Sequence, residues 1–164
     1  MNGYRVGVVG VTGVVGREVL RILEERRFPV ATLRLFASGR SAGRQIGPWT
    51  IERVTPGAFR DMEFAIFDTP DDVAVEWVPV AAAAGVIAID NSAAFRMEPD
   101  VPLVIPEVNG DALRSIPRRI VSNPNCTVAT MAVPLAVLHR AAGLRRVIAC
   151  SYQSVSGAGR RGVE

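Results

Sequence analysis

The 164-residue chain has no lysine; all 19 of its basic residues are arginine. A lysine nucleophile or Schiff base is therefore excluded within these residues. There are two cysteines, Cys126 and Cys150. They are too few and too far apart for a disulfide framework, which fits a reducing compartment. Aromatic residues make up 6%. No basic stripe is interleaved with them, so no nucleic-acid partner is expected, and small anions are the better match to scattered arginines. No apolar run approaches the roughly 20 residues of a membrane span. Met1 leads within a few residues into a strand-like run with no signal-peptide pattern, so the expected location is cytoplasmic. No metal site is expected.

What is present reads as a soluble globular chain: 49% hydrophobic and 21% charged, with a net charge of +3. The length suits one domain, or one domain and part of another. Apolar runs at Tyr4–Val9, Leu33–Ala37, Phe64–Phe67, Val86–Ile89 and Ile120–Val121 read as buried strands, and Trp49–Val54 alternates like a half-exposed one. Helical spacing marks 14–26, 71–84 and 127–142, with Pro134 placed to kink the last. Residues 94–119 read mostly as loop. Residues 145–155 read as a strand, with Cys150 packed in the core. Strand–helix alternation predicts an α/β fold: a doubly wound, mostly parallel Rossmann-type sheet, plus the start of a second α+β domain. The expected boundary separates residues 1–125 from 126–164.

Gly10-Val11-Thr12-Gly13-Val14-Val15-Gly16 follows the first strand and opens the first helix. In a dinucleotide site, such glycines allow a tight turn, approach to a pyrophosphate and close helix–strand packing. The spacing is a variant of the usual fingerprint, and a plain strand-to-helix turn uses the same residues. After the second strand come Ser38, Arg40, Ser41 and Arg44, with no acid to meet a ribose hydroxyl. Hydroxyl and guanidinium groups suit a 2′-phosphate, so NADP is expected over NAD. A solvated basic loop is the plainer alternative.

Ser122-Asn123-Pro124-Asn125-Cys126-Thr127 places a thiol where a loop meets a helix N-terminus. Unpaired N–H groups and the helix dipole there favour the nucleophilic thiolate. A cysteine nucleophile beside a dinucleotide site points to carbonyl oxidation or reduction through a thioester.

Six segments together carry a specific resemblance. They are Gly-Val-Thr-Gly-Val-Val-Gly at 10–16, Ala-Ser-Gly-Arg-Ser-Ala-Gly-Arg at 37–44, and Asp-Asn-Ser-Ala-Ala-Phe-Arg at 90–96. The others are Asp-Val-Pro-Leu-Val-Ile-Pro-Glu-Val-Asn at 100–109, Asn-Pro-Asn-Cys-Thr at 123–127, and Ser-Tyr-Gln-Ser-Val-Ser-Gly-Ala-Gly at 151–159. The chain resembles the N-terminal half of the aspartate-semialdehyde dehydrogenase family. The resemblance implies reductive dephosphorylation of L-aspartyl 4-phosphate to the semialdehyde, with NADPH as reductant, in amino-acid biosynthesis. It implies Cys126 as nucleophile, Gln153 orienting substrate, Arg96 binding phosphate, and Asn125 helping to place the thioester oxygen. Gly10, Thr12, Gly13, Val14 and Val15 would contact the pyrophosphate. Ser38, Arg40 and Ser41 would meet the 2′-phosphate, and Ser156 and Gly157 the nicotinamide end. It further implies a homodimer formed mainly through a second domain. The family's acid–base histidine falls in the half not contained here, and His139 reads as structural. The 164 residues alone are expected to turn over little or no substrate.

The match frays at Asp68-Thr69-Pro70-Asp71-Asp72, where the family usually has small residues. Locally this reads as Thr69 capping a helix with Pro70 first and acids in the first turn. Acids beside a cofactor phosphate repel it, so either they point away or cofactor use is altered. Two other functions compete. An N-acetylglutamyl-phosphate reductase usually has glycine before the cysteine and tyrosine after it; Asn125 and Thr127 favour the aspartyl enzyme. A non-catalytic NADP-binding paralogue has the acidic segment as its support.

Overall fold

A computed structural model describes residues 3–155. Its centre is a seven-stranded sheet built from β1 (Tyr4–Val9), β2 (Val30–Ala37), β3 (Gln45–Ile46), β4 (Trp49–Arg53), β5 (Phe64–Phe67), β6 (Ile87–Asp90) and β7 (Ile120–Ser122). The spatial order is β3-β4-β2-β1-β5-β6-β7, and all pairings are parallel except β3 with β4. The chain runs outward from β1 through β2 to β4, then returns to the other side of β1 at β5. That reversal is a topological switch point, the place where open α/β sheets bind ligands at their carboxyl edge. The doubly wound reading of the sequence is correct.

Successive strand residues point to opposite faces, so the sheet has two cores. Val9, Phe36, Phe67 and Ala88 face one side with Phe59, Ala74, Val78 and Ala81. The last three lie on α2 (Asp71–Ala83) at helical spacing, which is how a small-residue stripe seats on a sheet. Val8, Val11, Leu35 and Ile51 face the other side. There Val19, Leu20 and Leu23 of α1 (Val14–Glu25) cover them. Phe36, Phe59 and Phe67 are fully buried, with ring centroids 5.8 and 5.7 Å apart along the series.

Several local expectations need correction. The Gln45–Ile46 and Trp49 ends form a small antiparallel hairpin across Gly47 and Pro48, which the polar loop composition hid. The 94–119 stretch is mostly loop, as expected, and within it lie α3 (Pro106–Asn109) and a 3₁₀ turn at Gly110–Arg114. α2 begins at Asp71, with Pro70 at the cap position and no side-chain cap; Thr69 does not cap it. Among the described residues the expected strand at 145–155 is not formed: residues 144–154 have no ladder partner there, and Cys150 is exposed. A strand exists only where a neighbour takes its N–H and C=O groups, however strand-like its composition. α4 (Cys126–Ala142) is apolar around most of its circumference yet buries no residue.

Candidate functional site

The glycine turn leaves β1 at its carboxyl edge. Gly10 has φ +87°, and a Cβ there would lie 1.9 Å from the Asp68 carbonyl oxygen. Only glycine fits that crossing of two strand ends. A Cβ on Gly16 would lie 2.5 Å from the Gly10 carbonyl oxygen and 2.8 Å from Val11 Cα, so its absence lets α1 sit tightly on the turn. Gly13 is the N-cap of α1 and offers no capping side chain. The side chains of Val14 and Val15 are exposed, Val14 by 82%. Their N–H groups meet no acceptor among the described residues. Thr12 is half-buried in the same turn. The result is a backbone cradle at a helix N-terminus.

Beyond β2, Ser38 and Ser41 close a turn in which the Ser41 N–H donates to the Ser38 carbonyl at 2.9 Å. Arg40 is exposed, and Arg40 and Arg44 have no ion pair among the described residues. Arg53, opposite Ala37 on β4, brings a third guanidinium beside this turn; a Cβ on Gly39 would lie 3.9 Å from its Nε. Sequence reading missed Arg53 because only strand pairing brings it there.

The loops after β5, β6 and β7 are stitched edge to edge. Asp68 N–H donates to the Val9 carbonyl, Asn91 N–H to Phe67, and Asn123 N–H to Asp90, at 2.9, 3.0 and 2.8 Å. Asn123 Nδ2 donates to Asn91 Oδ1 at 2.6 Å. Arg96, expected to bind phosphate, first does something else. Its Nε donates to the Asn123 carbonyl and its Nη2 to the Asn91 carbonyl, both at 2.8 Å. It clips the β6 loop to the loop that carries the cysteine. Neither contact is the salt bridge that a loop arginine often makes. Asp90 is fully buried and accepts from Ser92 N–H at 3.0 Å and Ser92 Oγ–H at 2.6 Å. Burial pushes its carboxyl above the usual range, against the Ser92 bonds and the Arg96 charge; the Asp71 carboxylate adds a small upward push.

Cys126 is the first residue of α4 and is exposed. Asn125 is the N-cap: its Oδ1 accepts from Thr127 N–H at 3.0 Å and Thr127 Oγ–H at 2.6 Å. The Cys126 Sγ lies 3.9 Å from the same oxygen. Asn125 Nδ2 donates to Gln153 Oε1 at 3.4 Å. Three residues named from the sequence, Asn125, Cys126 and Gln153, therefore stand together. His139 lies 13 residues further along the helix, about 20 Å from Cys126, too far to exchange its proton. Ser156 and Gly157 lie outside the described residues. The glycine turn and the cysteine loop leave the same sheet edge three strands apart, a span of about 14 Å.

The acidic segment divides. Asp71 Oδ1 accepts from Ala93 N–H at 2.8 Å in the loop after β6, and Asp72 Oδ1 accepts from Val73 N–H at 3.0 Å within the first turn of α2. Asp68 turns inward, and its Oδ2 accepts from Gly16 N–H at 3.0 Å. Burial pushes the Asp68 carboxyl up, and the Gly16 bond draws it part of the way back.

Comparison with known proteins identifies the family. The model of the semialdehyde dehydrogenase NAD-binding domain matches residues 5–116. The aspartate-semialdehyde dehydrogenase of Aquifex aeolicus is 44% identical over 168 residues, covering 99% of this chain and 49% of that protein. The Vibrio cholerae aspartate semialdehyde dehydrogenase II, solved in complex with ASA, has a TM-score of 0.93 at 38% identity, over 99% of this chain and 50% of that one. The Candida albicans enzyme solved with NADP has a TM-score of 0.73 at 25% identity, over 87% of this chain and 48% of that one. The chain thus spans about half the length of these relatives. The family match begins inside β1 and ends just short of β7, and the chain belongs to the semialdehyde dehydrogenase family through its NAD-binding domain.

Proposed function

We propose that the chain is the cofactor-binding and nucleophile-bearing part of an aspartate-semialdehyde dehydrogenase that uses NADP. The observation that carries this reading is Cys126: an exposed thiol on the first turn of α4, with Asn125 and Gln153 beside it. The Cys126 thiolate attacks the acyl carbon of aspartyl 4-phosphate, the C–S bond forms and phosphate leaves. NADP(H), when bound, supplies or accepts the hydride. Reduction of the thioester gives a hemithioacetal at Cys126, whose collapse releases the semialdehyde and regenerates the thiolate. Gln153 and Asn125 hold the acyl group against the sulfur. Arg96 keeps one guanidinium nitrogen, Nη1, outside its two carbonyl bonds, and that nitrogen is available to a phosphate oxygen.

The cradle fits a dinucleotide at two points. A side chain on Gly10 or Gly16 would fill the turn, and the Val14 and Val15 amides are open. Gly10, Thr12, Gly13, Val14 and Val15 would hold the pyrophosphate. Ser38, Arg40 and Ser41, with Arg53, would hold a 2′-phosphate, which is why NADP is preferred to NAD. Residues 1–125 form the cofactor domain and 126–164 open a catalytic, dimer-forming domain. An apolar helix with no buried residue, as α4 is, needs a further layer to cover it. On this reading the 164 residues alone sustain little turnover, for want of an acid–base group near Cys126. The working enzyme is a homodimer acting on small molecules, in the cytoplasm.

Substrate choice is the test. The enzyme containing this chain should oxidise NADPH with aspartyl phosphate in preference to N-acetylglutamyl phosphate, and Cys126→Ala should abolish the reaction. The opposite preference, or activity surviving in Cys126→Ala, overturns the reading. Equal or tighter binding of NAD than NADP removes the cofactor assignment.

A further inference from the structure

The N-terminus of α1 lacks what helix N-termini ordinarily have. Its cap residue is Gly13, which has no side chain to accept from the first-turn amides. Another part of the sheet supplies the acceptor. Asp68, at the carboxyl end of β5, reaches across the switch point, and its Oδ2 takes the Gly16 N–H at 3.0 Å. The same oxygen would lie 3.2 Å from a Cβ on Gly13, so the carboxylate sits against the cradle itself. Asp68 has no ion pair among the described residues, while the carboxylates of Asp71 and Asp72 accept from Ala93 N–H and Val73 N–H. One anion therefore already occupies part of a site whose amides and dipole favour anions.

We propose that Asp68 is the affinity-setting residue of the dinucleotide site, an internal carboxylate whose charge opposes the pyrophosphate at the α1 N-terminus. This rests on the reading of the glycine turn as a dinucleotide site. The elevated native carboxyl described above has the direction expected of an acid held there without a cation. The opposition is local: it acts on the pyrophosphate, and the 2′-phosphate site beyond β2 lies on the far side of β1. Asp68 therefore weakens NADP and NAD alike and leaves a ligand lacking pyrophosphate untouched.

Asp68→Asn removes the charge and keeps an oxygen that accepts from Gly16 N–H. Two probes are titrated calorimetrically into the parent and the variant: NADP and adenosine 2′-monophosphate. The variant should bind NADP about tenfold tighter, the effect of removing one like-charge pair in a part-solvated site. Adenosine 2′-monophosphate should bind both proteins equally. Unchanged or weaker NADP binding by the variant overturns the role of Asp68 and leaves the dinucleotide site standing. Failure of both proteins to bind either NADP or adenosine 2′-monophosphate removes the site and the proposal with it. Asp68→Ser, which keeps a hydroxyl acceptor, gives the same readout if the amide variant does not fold.

Discussion

Replacing Arg96 by methionine separates its role as a clip from its role as a phosphate ligand. Its two guanidinium hydrogen bonds join the β6 loop to the cysteine loop at 2.8 Å each, in a half-buried setting. A hydrogen bond with one charged partner contributes about 1.5–3 kcal/mol net. The lower end suits both bonds, because the group is not sealed from water, and Arg96→Met should cost about 3 kcal/mol. In a chain of this size that is a fall in Tm of about 6–12 °C. Arg96→Lys keeps the charge but loses the planar fork, so it should recover roughly half of the loss. Urea denaturation without phosphate, followed by near-UV circular dichroism, measures both. Loss of less than about 1 kcal/mol in Arg96→Met would mean the loops hold without the clip. Full retention of stability in Arg96→Lys, with phosphate raising the Tm of the parent alone, would make the residue a ligand and nothing more.

Two further outcomes are expected. Gly10→Ala should destabilise the fold by more than about 2 kcal/mol, because a left-handed backbone and a 1.9 Å approach to the Asp68 carbonyl both oppose a methyl group; a melt within error of the parent contradicts this. Asp68 and Asp90 have native carboxyls raised above 3.8, so folding binds their protons more tightly than unfolding does. Their stabilising contribution is full below pH 3.8 and is lost as pH rises through the native values. Glu52 is lowered from 4.5 by its hydrogen bond to Arg34, so its contribution is present above that value and is lost as pH falls through the native one. Denaturant unfolding across mildly acid pH should show the parent losing stability relative to Asp68→Asn/Asp90→Asn as pH rises from 3.8, the Glu52 contribution being common to both proteins. Equal slopes for the two proteins contradict the burial of these acids.

The apolar strands and the glycine turn were legible because each is local. Tyr4–Val9 and Phe64–Phe67 are short apolar runs with turn residues after them, and three glycines at fixed spacing specify one geometry. Cys126 was legible for the same reason, since Asn125 caps the helix it begins. What stayed hidden depends on strand order. Asp68 lies 52 residues from the Gly16 amide it bonds, and Arg96 lies 27 from Asn123. Arg53 joins the Ser38–Arg40 turn only because β4 pairs with β2. The segment at 145–155 failed in the opposite sense. Its composition is that of a strand, but no strand among the described residues offers it a ladder. Cys150 is consequently exposed, and exposure does not distinguish it from Cys126; position at a helix N-terminus does.

That difference between two exposed thiols allows the most direct measurement. The protein is incubated with aspartyl phosphate, quenched in acid, digested and read by peptide mass spectrometry. One aspartyl group should be found on the peptide containing Cys126, labile to hydroxylamine as a thioester is. The peptide containing Cys150 should be unmodified, and Cys126→Ser should carry no thioester. Acylation shared between the two cysteines, or none at Cys126 in a folded protein that releases phosphate, would contradict a nucleophile at the head of α4.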